Sequence, residues 1–315
     1  MRKAVAIDID GVILKGGYVL NGAKKALSRL IENKIPFIFV TNGGGTTESQ
    51  KAKDMTKKLQ IDFRSDQMLL SHTPMKELAQ QFGSSQTLVL GHSKCIDVAK
   101  SYGFKRILTA EDVYNKVPTI YPNRTPPVNA SSAYEPTEPI ETALIIHDPQ
   151  NWALEMQVLS DLLSPLGPLS NGKQVHLYSC NADLVYATEH PHPRFTQGAF
   201  VETFRHLYQL QHGRPLDFTY YGKPFPIQYQ YAERMLRHES SLLGLREEPT
   251  VFFGIGDNPL SDIRGANNAG AHWKSILVRT GLYKSDRDDY PHSEDVPDFV
   301  RADIEAAVEC ILDYR

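Results

Sequence analysis

At 315 residues, 41% apolar and 23% charged, the chain has the length for two domains and the composition of a globular protein. A net charge of −3 supplies no basic field for a nucleic acid, and no apolar run has the length needed to span a membrane. Cys95, Cys180 and Cys310 are odd in number and widely spaced, which indicates neither a disulfide framework nor a zinc site and fits a reducing, intracellular setting. The first strand is predicted from residue 3 with no targeting segment visible ahead of it. The sequons at Asn123 and Asn129 lack the secretory route they would need.

The opening stretch, Lys3 to Val12, reads as a buried β-strand that ends in two carboxylates and a glycine. Asp8 and Asp10 are two apart, so an extended chain points them to the same side. There they repel, and one stays protonated, unless a cation or another positive group lies between them. A structural salt bridge or a plain Asp-Gly turn explains the same residues without chemistry. Asn21 to Asn33 carries Ala23, Ala26, Leu27, Leu30 and Ile31 at helical spacing, with Asn21 as N-cap. Pro36 ends that helix, and Phe37 to Val40 is a second apolar strand running into Thr41-Asn42-Gly43-Gly44-Gly45. Hydroxyl, amide and glycine N–H groups donate well to an anionic oxygen, although a ligand-free turn between strand and helix has the same composition. Thr47 to Leu59 is the next helix, completing a β-α-β-α opening typical of a parallel sheet.

A separate block begins near Ser71-His72-Thr73-Pro74. Within it, helices are predicted at Met75–Phe82 and Lys94–Tyr102, and strands at Thr87–Gly91 and Arg106–Leu108. Val117 to Ile140, with six prolines, reads as a long irregular surface loop. Ala143–His147 resumes as a strand, Trp152–Leu163 as a helix and Val175–Cys180 as a strand leading into Asn181-Ala182-Asp183. His190 and His192 share a proline-rich loop, Pro191-His192-Pro193-Arg194, where a structural role is the commoner one for histidine; a helix follows from Gln197 to Leu210. The alternation of β and α suggests a second α/β unit inserted into the first.

The last section returns to the opening pattern. Phe218–Tyr221 is a short strand running into Gly222-Lys223-Pro224, and a helix follows over Pro226–Arg237. Val251–Ile255 ends in Gly256-Asp257-Asn258-Pro259, with Asp262 five residues past Asp257. A strand at Ser275–Val278 and a helix over Arg301–Asp313 close the chain. Singly, Lys223 reads as a surface lysine and Asp257 as a loop carboxylate or helix cap.

Four predicted strands thus end in functional groups: Asp8 and Asp10, Thr41 and Asn42, Lys223, and Asp257 with Asp262. As neighbours in one parallel sheet, their tips would converge on a single crevice. The carboxylates supply hard oxygen ligands for Mg²⁺, and Thr41, Asn42 and Lys223 suit a phosphoryl group. An ionised Asp8 can attack phosphorus, and a protonated Asp10 can serve the leaving oxygen and then take a proton from water.

Asp8-Ile-Asp-Gly-Val, Thr41-Asn42, Gly222-Lys223-Pro224 and Gly256-Asp257 with Asp262 match, in order, the four motifs of the haloacid dehalogenase superfamily, which the chain resembles over essentially its whole length. The resemblance is to subfamily IIA, in which a C2-type α/β cap is inserted between the second and third motifs. Pro191-His-Pro-Arg, Gln197-Gly-Ala-Phe and Tyr221-Gly-Lys-Pro-Phe-Pro resemble the eukaryotic branch named for the cat eye syndrome critical region. It implies a doubly wound, Rossmann-like parallel-sheet core over 1–75 and 215–315, with a cap over 76–214. It further implies a Mg²⁺-dependent phosphatase for a small phosphorylated metabolite, working through an aspartyl-phosphate. Asp8 would be the nucleophile and Asp10 the general acid and base. Asp8, the main-chain carbonyl of Asp10, and Asp257 would hold the metal, with Asp262 supporting it from behind. Thr41, Asn42 and Lys223 would bind phosphate, Lys223 also orienting Asp8. Specificity would lie in the cap, at Asn181, Asp183 and the 190–198 loop, where His190 and Arg194 are further candidates to meet an anionic substrate. The branch suggests mitochondria, and related proteins form cap-to-cap homodimers, though no exposed stripe predicts one here. A phosphotransferase to an alcohol, or a scaffold that keeps the fold without turnover, are the rival readings.

Overall fold

Strand Lys3–Ile7 is buried on both faces, and the alternation of its side chains explains the layering around it. Val5 and Ile7 point into one core with helices Ala23–Glu32, Glu48–Leu59 and Ile304–Asp313. Ala4 and Ala6 point into another, with Pro226–Leu242 and Arg264–Asn268. This computed structural model describes all residues except 126–137, 165–168, 171, 187–189, 191, 193 and 284–289. Its first sheet has six strands in the order Phe299–Arg301, Trp273–Val278, Val251–Gly256, Lys3–Ile7, Phe37–Thr41 and Met68–Leu70. Every pairing is parallel. The chain leaves the central strand to one side and returns on the other at Val251–Gly256, so the order reverses there. Such a reversal opens a crevice at the carboxyl ends of the strands. Asp8 is the first residue past that end.

The second sheet repeats the plan with five parallel strands: Thr219–Tyr220, His176–Ser179, Ile140–Ile145, Gln86–Leu90 and Arg106–Leu108. Leu88, Leu90, Ala143 and Ile145 pack one face against helices Ala110–Lys116, Trp152–Leu163 and Gln197–His212. Val89, Leu144, Ile146 and Tyr178 pack the other against Cys95–Tyr102. The expected doubly wound α/β core and second α/β unit are both present.

Several local expectations change. The sequence pattern puts Thr219–Tyr220 among the strands of the first sheet, yet it pairs with His176–Ser179 at the edge of the second. Phe218 and Tyr220 find apolar partners there, so residues 218–220 join the second unit. The strand ending in Lys223 is therefore not a neighbour of the one ending in Asp8. Met75–Phe82 is divided: its first half belongs to a 3-10 helix, Thr73–Leu78, with Pro74 in the opening turn, and only Ala79–Phe82 is α-helical. Helix Ala23–Glu32 is preceded not by a capping Asn21 but by Gly22, whose left-handed φ of 80° turns the chain into it. The last helix starts at Ile304, capped by Asp303, since Phe299–Arg301 is taken up as an edge strand. Half of the proline-rich stretch, residues 126–137 with the Asn129 sequon, and Pro191 and Pro193 lie outside the described residues. Among the described residues, no helix is long and apolar enough to cross a membrane.

Candidate active site

Burial makes the charges at the crevice interact strongly. Asp8, Lys223, Asp257 and Asp262 are each no more than 6% exposed. The Lys223 ammonium donates to Asp8 Oδ1 at 2.5 Å, Asp262 Oδ1 at 2.6 Å and the Val40 carbonyl at 3.1 Å. Three ammonium hydrogens meet three acceptors. Carboxylate oxygens of Asp8, Asp257 and Asp262 lie within 4.8 Å of one another. Three carboxylates against one ammonium (−3 + 1 = −2) leave two surplus negative charges. The cost shows in proton affinities. Burial pushes Asp8 well above the usual carboxylate range, against the pull of Lys223 and with the help of Asp262, Asp257 and Asp10. Burial and the charge of Asp262 push Asp257 up to about 7. Burial works against the charge of Lys223, but Asp262 and Asp8 hold its pKa well above the ordinary lysine value.

Both Asp262 oxygens are engaged, one by Lys223 and the other by the Asn258 N–H at 3.1 Å. Asp8 accepts at Oδ1 and Asp257 at Oδ2, from the Leu282 N–H at 2.6 Å. Among the described residues this leaves Asp8 Oδ2 and Asp257 Oδ1 for a cation. Oxygen donors with a surplus of two charges fit a hard divalent ion such as Mg²⁺. Glycines make the arrangement sterically feasible: a Cβ on Gly11 or Gly281 would run into the Asp257 carboxylate, and one on Gly256 into Asp262.

Asp10 stands exposed at the rim. A Cβ on Gly43 would lie 3.6 Å from Asp10 Oδ2 and 3.2 Å from Thr41 Oγ1, so both border the same glycine. Thr41 Oγ1 accepts the Gly43 N–H at 3.0 Å, which keeps its own hydrogen for an incoming oxygen. Asn42 departs from expectation. Its Oδ1 accepts the Lys223 backbone N–H at 2.8 Å, and its Nδ2 donates to the Lys223 carbonyl at 3.0 Å and Asp183 Oδ2 at 3.1 Å. With both amide ends committed, this side chain has no donor left for a phosphate. Asn181 and Asp183 are correspondingly turned inward: Asn181 Oδ1 accepts the Asp183 N–H at 2.9 Å. His190 and Arg194 are exposed.

Some contributors carried no sequence prediction. The strand Trp273–Val278 runs into Arg279-Thr280-Gly281, a glycine after a strand like the other tips, and Thr280 donates to the Gly11 carbonyl while Leu282 caps Asp257. His92 and His147 follow adjacent strands of the second sheet, with ring centroids 4.6 Å apart, and crowd the position a Cβ on Gly45 would take. No local pattern announces that contact, which depends on the packing of two units.

Family models agree with this geometry. The haloacid dehalogenase-like hydrolase model matches residues 5–105, and a HAD-hydrolase-like model matches residues 220–307. A cardiolipin synthase (CMP-forming)/mitochondrial hydrolase fusion protein of Schizosaccharomyces pombe is 37% identical over 290 residues, 88% of this chain and 48% of its own length. The chain therefore spans about half of that relative. A mitochondrial hydrolase of Saccharomyces cerevisiae is 33% identical over 317 residues, covering 90% of this chain and 89% of its own. Among solved structures, a hypothetical protein of Pyrococcus horikoshii OT3 aligns with a TM-score of 0.71 at 18% identity, over 98% of this chain and 99% of that one. The glycerol phosphate phosphatase of Mycobacterium tuberculosis, in complex with magnesium, aligns at 0.66 and 18% identity, over 96% and 75%. The fold, the order of the charged strand tips and these matches together mean that the chain belongs to the haloacid dehalogenase-like hydrolase family.

Proposed function

We propose that this protein is a Mg²⁺-dependent phosphatase that hydrolyses a small phosphorylated metabolite through an aspartyl-phosphate. The observation that carries the reading is the buried Asp8 carboxylate, held at Oδ1 by Lys223 and clustered with the carboxylates of Asp257 and Asp262. Asp8, Asp257 and the main-chain carbonyl of Asp10 would hold Mg²⁺, which when bound offsets the surplus negative charge and polarises the phosphoryl oxygens. A carboxylate oxygen of Asp8 attacks phosphorus; the new O–P bond forms as the bond to the leaving alcohol breaks, and Asp10 gives that alcohol its proton. Asp10 then takes a proton from water, whose oxygen displaces Asp8 and releases phosphate. Thr41 donates to a non-bridging oxygen. Lys223 acts mainly through charge, favouring the ionised form of Asp8 against burial and aiming it, since its three donors are already used. The magnesium-bound phosphatase with the same fold supports the choice of ion and reaction. The names of the two fungal relatives extend the proposal to a mitochondrial setting, which cell fractionation would test.

The deciding experiment is phosphate release from an aryl phosphate and a panel of phosphorylated metabolites, with Mg²⁺ and with chelator, beside an Asp8→Asn control. Turnover that needs both Mg²⁺ and Asp8 is the expected result. Turnover indifferent to Asp8 would sink the mechanism, and phosphate transferred to an added alcohol instead of water would make the protein a phosphotransferase.

A further inference from the structure

The side chain of Asn42 connects three parts of the molecule. It follows Thr41 in the first sheet, bonds both the backbone N–H and the carbonyl of Lys223, and meets the Asp183 carboxylate on the turn after strand His176–Ser179 of the second sheet. The two Nδ2 hydrogens go to the two close acceptors, Asp183 Oδ2 at 3.1 Å and the Lys223 carbonyl at 3.0 Å; Asn181 Oδ1 is further off at 3.5 Å. This pattern fixes which end of the amide is which. Asp183 is itself held: its N–H donates to Asn181 Oδ1 at 2.9 Å, and its carbonyl accepts from the Thr196 hydroxyl at 3.2 Å. The packing around Lys223 is as tight. A Cβ on Gly222, which has φ +80°, would collide with the Cys180 carbonyl and come within 2.9 Å of Asn42 Oδ1.

Lys223 belongs to no strand of the first sheet; it comes off the edge of the second and crosses to Asp8. Something must fix its backbone relative to the crevice, and the Asn42 amide makes the contacts that do so. We propose that Asp183 is a positioning residue of the phosphoryl-transfer site, acting from the second sheet through Asn42 to hold Lys223 against Asp8. This inference rests on the phosphatase reading above and replaces substrate recognition as the role of Asp183. The second unit then supplies one end of the clamp that registers the lysine.

The test is a double-mutant cycle on turnover. Asp183→Ala is expected to lower kcat on the order of tenfold, the loss of one charge-assisted hydrogen bond, with KM for aryl phosphate within about threefold of native. Asp183→Asn keeps an acceptor oxygen and is expected to restore kcat to within about threefold. Asn42→Ala combined with Asp183→Ala is expected to be no worse than Asn42→Ala alone, because residues acting in series do not add. Losses that multiply, or a KM that changes with the leaving group while kcat holds, would make Asp183 a substrate contact and overturn the proposal. Hydrogen exchange at the Lys223 amide gives a readout independent of turnover: it should quicken in Asp183→Ala and not in Asp183→Asn, and equal protection in all three proteins also overturns the clamp. Should the native protein show no Asp8-dependent turnover, the phosphatase reading fails while the exchange experiment still decides the clamp. If Asp183→Ala does not fold, Asp183→Ser, too short to reach the amide, takes its place.

Discussion

Two buried polar clusters, one around Glu48 and one around Asp8, differ in whether their charges balance. Glu48, at the start of helix Glu48–Leu59, accepts from the Thr73 hydroxyl at 2.8 Å and the Tyr102 hydroxyl at 2.7 Å, and faces the Lys76 ammonium at 2.9 Å. His72 Nδ1 lies 2.6 Å from the same Tyr102 hydroxyl. One carboxylate meets one ammonium here, and although burial opposes ionisation, Lys76 and Tyr102 bring the Glu48 pKa below its usual value. In the Asp8 cluster the charges do not close, and the carboxylates rise instead. Hydrogen bonding is dense in both clusters, so density does not distinguish a structural joint from a site. A surplus of like charge does, because a fold keeps it only where a ligand of opposite sign offsets it.

The comparison can be broken from either end. The largest effect is expected from Asp8→Asn, which removes the proposed nucleophile: phosphate release in Mg²⁺ should fall by about a thousandfold or more, while circular dichroism and melting stay near native. Asparagine also lowers the negative surplus, so a large drop in stability would contradict the charge imbalance of the cluster. Next comes Lys223→Met. Removing the one ammonium leaves the buried carboxylates unpaired, at a cost of about 3–5 kcal/mol by denaturant unfolding. Full stability in that variant would mean that the carboxylates are already neutral.

The two clusters should then respond to pH with opposite signs. Burial lowers His72 to about 4, against an ordinary 6.5. The unfolded chain takes up this proton first, so the stability from neutral His72 is present above pH 6.5 and lost as pH falls towards 4, by at most about 3 kcal/mol. Asp257, raised from 3.8 to about 7, does the reverse: its contribution is present below pH 3.8 and lost as pH rises through 7. Denaturant midpoints across pH 4–8, with and without Mg²⁺, check both. The two windows overlap between pH 4 and 6.5, where the contributions oppose each other; Mg²⁺ should abolish the Asp257 loss and leave stability falling with acid through the His72 window alone, and a profile unchanged by Mg²⁺ would contradict the charge imbalance at Asp257. The smallest effect is expected from Tyr102→Phe, which removes two hydrogen bonds from the balanced cluster for about 1–2 kcal/mol, with kcat within about twofold of native.

Much of the molecule was legible because it follows local rules. Trp152–Leu163 has the bounds its apolar spacing implies, and the strand tips at Asp8, Thr41 and Asp257 come where an apolar run meets a polar group and a glycine. Those three strands do lie side by side in one parallel sheet. The sequence was less informative wherever a segment had too few residues to choose its partner. Thr219–Tyr220 is two residues long, and an open sheet edge with apolar neighbours decided its place.

The sequence by itself therefore determined two α/β units, the order of the chemical groups along the chain and the family they resemble, because periodicity and short motifs depend only on near neighbours. Tertiary structure alone decided how the groups are used. It brought Lys223 in from the second sheet, spent the Asn42 amide on that lysine's backbone instead of a phosphate, and turned Asp183 inward. The physical reason is that hydrogen-bond capacity and net charge belong to a place, not to a residue. Asn42 has one amide, Lys223 has three hydrogens, and which acceptors use them is settled only when distant segments pack within about 3 Å of one another.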